Sequence, residues 1–434
     1  MTQLYGWGRY PRLDAQVAQP LSATQCASTL QTSSPLIALG LGRSYGDSTL
    51  APQVLCTRYL NHFQTFDEDT GLLTCAAGVS LNSILHSFVQ RGWFLPVTPG
   101  TSFVTVGGAI ASDVHGKNHH KDGTFCTHVR HIKLLLGNGE CVTASPTENV
   151  DLFHATCGGM GLTGIILSAS VQLLRIRASD ILETTIKAPS LNALLEAFEV
   201  HAASTYSVAW IDCLARGAKL GRSLLMLGEH VTDGALAVQT SSPKSVPFDL
   251  PAAWLNHSTV QVFNTLYYGR VWRSQSTRRI PFEPFFYPLD GLSHWNRIYG
   301  KPGFVQYQFA LPKAAGIAGL REVLERIAQS GRGSFLAVLK VFGAANDNLL
   351  SFPVGGYTLA LDFKAEPAVF ELLNTLDAVV LHYGGRLYLA KDARMSEATF
   401  RAGYPRWQEF EATRERWHAH GHFSSLQSHR LGLL

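Results

Sequence analysis

The 434-residue sequence contains no CxxC pair, no HExxH and no P-loop pattern, and only 16% of its residues are charged. Its seven cysteines (Cys26, Cys56, Cys75, Cys126, Cys141, Cys157 and Cys213) are odd in number and scattered, which argues against a disulfide framework or a zinc ribbon and for reduced thiols. No stretch approaches the roughly 18 apolar residues of a spanning helix. Residues 1–14 lack the basic-then-apolar order of a secretory signal, so a soluble, cytoplasmic chain is expected. A strong charge of one sign is missing too. Thirty-six Lys+Arg against 32 Asp+Glu leave a formal +4, too mild and too evenly spread for a nucleic-acid partner. His115, His119, His120, His128 and His131 suggest metal at first sight. Gly116 breaks the helix that would align an i, i+4 pair, and no carboxylate accompanies it, so no metal site is expected.

Glycine is what the sequence does have: 39 residues, about 9% against an average of about 7%. They cluster in short runs within the first 165 residues: Gly40-x-Gly42-x-x-x-Gly46, Pro99-Gly100-Thr101, Thr105-Val106-Gly107-Gly108, and Gly158-Gly159-Met160-Gly161-Leu162-Thr163-Gly164. Each run alone reads as a tight turn. Several in order, each beside a hydroxyl residue, read as a pyrophosphate cradle, because glycine lets backbone N–H groups approach a ligand closely. Between them, Pro35 to Leu39 and Leu72 to Ala76 read as strands. Ser80 caps a helix with Leu81, Ile84, Leu85, Phe88 and Val89 on one face, and Asn138-Gly139 turns a hairpin. From about residue 179 the glycine runs stop and aromatics accumulate. A capped helix from Ser190, strands at Phe304 to Phe309, Phe335 to Phe342 and Tyr357 to Phe363, and a helix carrying Val369 to Val380 predict an α+β lobe.

Several long blocks carry a resemblance: PLIALGLGRSYGD (35–47), LPVTPGTSFVTVGGAIASDVHGKNHH (95–120), CGGMGLTGII (157–166), WNRIYGKPGFVQYQF (295–309), FLAVLKVFG (335–343) and GGRLYLAKDAR (384–394). Together they resemble the vanillyl-alcohol oxidase/p-cresol methylhydroxylase flavoprotein superfamily, over essentially the whole chain. Within it the likeness is to the branch that oxidises a polyprenylphosphoryl ribose at C2'. The resemblance implies an α+β, two-domain flavoprotein: an FAD-binding domain at 1–178, an inserted substrate domain on an antiparallel sheet at 179–385, and a C-terminal return to the FAD-binding domain at 386–434. It places Gly40, Gly42, Arg43, Ser44, Tyr45, Gly46, Asp47, Ser48, Gly100, Thr105, Val106, Gly107, Gly108, Ser112, His115, Gly161, Ile166 and Tyr388 around FAD. Arg43 stands where many relatives carry a flavin-linked histidine, which implies non-covalent FAD.

By the same resemblance Lys391, His115 and Tyr45 are the catalytic candidates. A fixed ammonium near the flavin would stabilise the negative charge that develops over N1 and C2=O on reduction. Gln306 and Gln308 alternate on one strand face at family pocket positions, with Lys117, Trp210, Lys340, Phe342 and Thr358 as further substrate contacts. Ala360 replaces a cysteine, and Phe286 a tyrosine, of some relatives. The implied reaction turns a secondary sugar hydroxyl into a ketone by hydride transfer to flavin N5, with a lipid-linked or free sugar as substrate. A short-chain reductase would complete an epimerisation towards an arabinan precursor. An O2-using sugar, alditol or aldonolactone oxidase is the alternative. The aromatic and basic residues near 266–279 suggest peripheral contact at the inner face of a membrane.

Overall fold

The computed structural model describes residues 1–239, 243–251 and 254–433. The fold is α+β, with most strands gathered in three sheets. The first sheet runs in the order Thr2–Tyr5, Arg12–Ala18, Gln53–Cys56, Ile37–Leu39. The apolar segment before the first glycine run thus becomes an edge strand, parallel to Gln53–Cys56, and the chain leaves it directly into residues 40–48.

The second sheet is antiparallel, in the order Phe63–Phe66, Leu72–Ala76, Ile165–Gln172, Val129–Leu135, Cys141–Ala144. Asn138-Gly139 makes the expected turn, with Gly139 at φ +87°. Ser80 caps the helix Leu81–Phe88 by accepting from Ser83 N, and the buried Leu81, Ile84, Leu85 and Phe88 share a core with Leu73, Cys75, Ile132 and Val171. The periodicity read from the sequence is the one that is buried.

The third sheet has eight antiparallel strands: Gln275–Ile280, Ile181–Ala188, Ser223–His230, Tyr206–Ile211, Ala337–Phe342, Gly356–Lys364, Phe304–Pro312 and Arg386–Leu387. Helices Leu191–Val200, Lys313–Ser330 and Pro367–His382 join one core with Leu225, Leu339, Leu359 and Leu361. Strand alternation then decides where the polar residues go. Val305, Tyr307, Phe309 and Leu311 enter the helix-packed core, so Gln306 and Gln308 face the other way. Register carries this across the sheet: Gln306 pairs with Asp362, Gln308 with Ala360, Lys340 with Thr358, and Trp210 with Val338. These residues share one face, and that face is where polar chemistry collects. Among the described residues no helix is long and apolar enough to cross a membrane.

Candidate active site

The glycine runs meet in space. A Cβ on Gly40 would lie 2.4 Å from Thr105 Oγ1, and one on Gly46 would lie 1.8 Å from the Asp392 carbonyl oxygen, so both positions exclude a side chain. Thr105 caps the short helix Val106–Ala111 by accepting from Gly108 N at 3.0 Å. Val106 N and Gly107 N donate to Val79 O and Ala77 O, fixing this run against the second sheet. A cleft of about 380 Å³ opens beside Leu39, Gly40, Gly42, Arg43 and Arg58. The Arg43 guanidinium lies 4.4 Å from the Trp7 ring centre and donates to Leu41 O.

Ser112 to His115 is held by a residue the sequence did not flag. The fully buried Asp113 accepts from Asn346 Nδ2 (2.8 Å), Asn348 Nδ2 (2.9 Å), Ser351 Oγ (2.6 Å) and Cys126 N (3.2 Å). From this anchor His115 projects among Phe342, Phe352 and Tyr388, with ring centres 4.8, 5.5 and 5.1 Å away. Gln308 Nε2 lies 3.0 Å from His115 Nε2 and donates to Thr358 Oγ1 at 3.2 Å. With the amide in this orientation His115 Nε2 accepts and the ring proton sits on Nδ1. Burial, then Lys340, His119 and Lys391, keep the imidazole well below its usual range and therefore neutral.

The C-terminal return brings the second half of the site. Tyr388 N donates to Gln308 O and its hydroxyl to Ser112 O, while Tyr45 N donates to Ala390 O. Arg430 bridges Asp47 and Asp392, locking the first glycine loop to this return. Lys391 Nζ consequently lies 3.8 Å from the centre of the Tyr45 ring. Burial lowers Lys391 to about 7, opposed by Asp362 and assisted by Lys340. Asp362 is raised to about 7 by burial, with Gln306, Lys391 and Tyr299 opposing. Gln306 Nε2 donates to Asp362 Oδ1, and Tyr299 OH lies 3.5 Å from Oδ2. Burial also lowers Lys340 to about 8 and Lys117 to about 7, with Lys340 pushing Lys117 the same way and Glu183 opposing. Lys117 donates to Phe285 O and stands 4.3 Å over its ring, with Phe286 alongside. Tyr45 is held protonated by burial and by Asp362.

The structure therefore collects Tyr45, His115, Gln306, Gln308, Lys340, Phe342, Thr358, Tyr388 and Lys391 around one buried region. Trp210 lies on the same sheet face, its Nε1 donating to Phe335 O and its ring against Tyr267. Gly100 is exposed, with open space around it, and Ile166 is paired with Leu134 inside the second sheet. Asp362, which the sequence reading did not name, faces the same region through Gln306 and Tyr299. The signal was present, since Thr358, Ala360 and Asp362 are two apart on one strand. Among the described residues no group of three His, Cys, Asp or Glu is placed to hold a metal ion.

Among the described residues, the buried polar atoms with no hydrogen-bond partner in the protein include Ser44 Oγ, Ser48 Oγ and His115 Nδ1. Buried polar groups are ordinarily satisfied. Two hydroxyls beside a glycine loop and one imidazole donor beside aromatic rings fit a ligand with a diphosphate and a polar ring system. Residues 15–145 match the family model described as an FAD binding domain. Fold and site are those of an FAD-dependent oxidoreductase. The chain is 36% identical over 470 aligned positions to decaprenylphosphoryl-beta-D-ribose oxidase of Mycolicibacterium smegmatis, covering 100% of this chain and 98% of that one. It belongs to the decaprenylphosphoryl-β-D-ribose oxidase family. L-Gulono-1,4-lactone dehydrogenase of Mycobacterium tuberculosis is 20% identical over 94% of this chain and 95% of its own. A putative D-arabinono-1,4-lactone oxidase of Neurospora crassa matches 29% of this chain at 32% identity.

Proposed function

We propose that the protein oxidises the 2'-hydroxyl of a polyprenylphosphoryl-β-D-ribose to a ketone, with FAD held non-covalently. The full-length likeness to the Mycolicibacterium enzyme supports the substrate class. The observation that carries the chemistry is a half-buried lysine, Lys391, brought near neutrality against Tyr45 and within the field of Asp362. Residues 1–178 and 386–434 would hold the cofactor and 179–385 the sugar, with Ser44, Ser48, Thr105 and Gly107 at the diphosphate and His115 and Tyr388 at the ring. FAD bound there supplies a two-electron acceptor for the hydride of the alcohol.

The remaining task is the hydroxyl proton, and the candidates can be separated. His115 has Nε2 engaged by Gln308, and its protonation is opposed by burial and neighbouring lysines. Tyr45 keeps its proton. Lys391, at about 7, is an amine for much of the time at neutral pH and takes the proton. The ammonium then stands where negative charge has developed, so one residue removes the proton and stabilises the product state. The charge of Asp362 favours that ammonium, and Gln306, Gln308 and Thr358 would orient the sugar. A short-chain reductase acting on the released ketone would complete an epimerisation.

Anaerobic titration tests the reading. Purified protein should be yellow, should release its flavin on acid precipitation, and should bleach with polyprenylphosphoryl ribose and not with aldonolactones. Flavin that stays with the precipitated chain would overturn the non-covalent assignment, and bleaching by lactones alone would overturn the substrate.

A further inference from the structure

The helix His257–Gly269 is turned the wrong way for a protein in water. Its buried positions, Val260 and Asn264, point inward, while Val262 and Leu266 lie on the opposite face in solvent, Leu266 at 70% exposure, with the partly exposed Phe263 on the flank. Trp272, just beyond its C-terminus, is 94% exposed, and Trp254, just before its N-cap, is 65% exposed. Isolated exposed apolar residues are ordinary, but five large ones on a single helix and its two flanks mark a surface that is covered in use. Its charge says by what. From Leu250 to Phe282 the chain carries Arg270, Arg273, Arg278 and Arg279 and no Asp or Glu. Arg278 and Arg279 answer Glu183 and Asp180 at the neighbouring strand, whereas the exposed Arg270 lies over the ring of Tyr267. A second copy of this chain would bring the same arginines face to face across a two-fold axis.

We infer that this face docks on an anionic lipid bilayer, with Val262, Phe263, Leu266, Trp254 and Trp272 entering the headgroup boundary and Arg270 and Arg273 meeting lipid phosphates. Tryptophan suits that boundary because one end of its ring system is apolar and the other a donor. The inner flank of the same helix reaches the candidate substrate region. The Tyr267 ring is 4.7 Å from Trp210, and Phe263 is 5.5 Å from Phe335, whose carbonyl accepts from Trp210 Nε1. A polyprenyl chain can therefore stay in lipid while its phosphoryl sugar passes beside Trp210. That last step rests on the proposed substrate; the docking does not.

Flotation of the FAD-loaded full chain with phosphatidylcholine vesicles, with and without phosphatidylglycerol, separates the two. Vesicles containing phosphatidylglycerol should carry the protein upward. The combined Val262→Gln, Leu266→Gln and Trp272→Gln variant should bind roughly tenfold or more weakly, while its flavin content and turnover of a short, soluble prenyl substrate stay unchanged. Arg270→Glu with Arg273→Glu should abolish the preference for anionic vesicles. No flotation, or unaltered flotation of the triple variant, would overturn the inference, as would a variant that merely changes from dimer to monomer. Flotation without oxidation of any prenyl substrate would instead overturn the proposed function and leave the docking standing.

Discussion

Replacing Asp362 by Asn tests the link between the buried carboxylate and the lysine. The substitution keeps the shape and an acceptor oxygen for Gln306 Nε2, and removes only the charge. Asp362 raises Lys391, which settles at about 7 because burial pulls it down from 10.5. A nearby opposite charge is worth up to roughly 1–3 pKa units when fully ionised; Asp362, itself raised to about 7, is only partly ionised near neutrality, so the variant lysine should fall below about 7 by at most that much. The sign follows directly. A lysine acting as base works when neutral, so activity rises with pH through its pKa, near 7 in the native protein. In the variant that acid limb should move down by the same amount. The amine is then a weaker base, and if about half of that change is felt in the transition state the plateau falls by up to roughly 30-fold. Single-turnover flavin reduction measured from pH 5 to pH 9, with flavin content and melting temperature as controls, reads both effects. A limb that stays near 7 while activity drops equally at every pH would refute the reasoning and leave Asp362 a packing residue.

Lys391→Met should retain flavin and lose reduction by at least about a hundredfold, as expected for a general base; near-native reduction in stopped flow would rule out the proton assignment. Gly46→Ala forces a methyl group to within 1.8 Å of the Asp392 carbonyl oxygen, where only backbone can yield. It should cost at least about 3 kcal/mol, seen as a lowered melting temperature and lost flavin. Arg430→Met leaves Asp47 and Asp392 buried without their cation, a loss of about 3–5 kcal/mol on breaking a buried pair, checked by denaturant unfolding. Thiol reagents should label the native protein once, at exposed Cys141, without inhibition; Ala360→Cys should add a second label and inactivate, since residue 360 pairs with Gln308.

Much of this arrangement was legible in the residues because it is written in local rules. The Ser80 and Ser190 caps, the Asn138-Gly139 turn and the apolar spacing of the helices Leu81–Phe88 and Pro367–His382 each follow from short-range chemistry. The helix Lys313–Ser330 did not announce itself, for a physical reason. At two buried positions of its inner face stand Gly316 and Gly319, where a Cβ would meet the Tyr357 ring at 2.2 Å and Leu311 Cδ1 at 2.6 Å. Close packing against a strand replaced large side chains in the first turns only; Leu320, Val323, Leu324 and Ile327 keep the apolar period further along. The site divides in the same way. Motif residues such as Tyr45 and His115 could be named from their neighbours in sequence. Asp362 showed only in the alternation of its strand, and Asp113 only in its place between Ser112 and His115, because their importance comes from register and from partners more than fifty positions away.

That division bears on why the site needs two ends of the chain. Tyr45 sits on the loop between two strands of the first sheet and Lys391 in the return segment, and neither stretch alone fixes the other. The lock is Arg430, which meets Asp47 from the loop and Asp392 from the return at once. The contact lies one or two residues from each catalytic candidate, so a shift there is transmitted over a very short lever. Loosening it should therefore cost orientation before it costs fold. In Arg430→Lys, which keeps the charge but cannot span two carboxylates as a planar fork does, flavin should remain bound and the melting temperature should fall only slightly. The rate of flavin reduction should drop about tenfold or more, as expected when a reacting group is misplaced by a fraction of an ångström. Reduction at the native rate would mean that Tyr45 and Lys391 are held by their own backbone bonds, Tyr45 N to Ala390 O above all, and that the bridge serves stability alone.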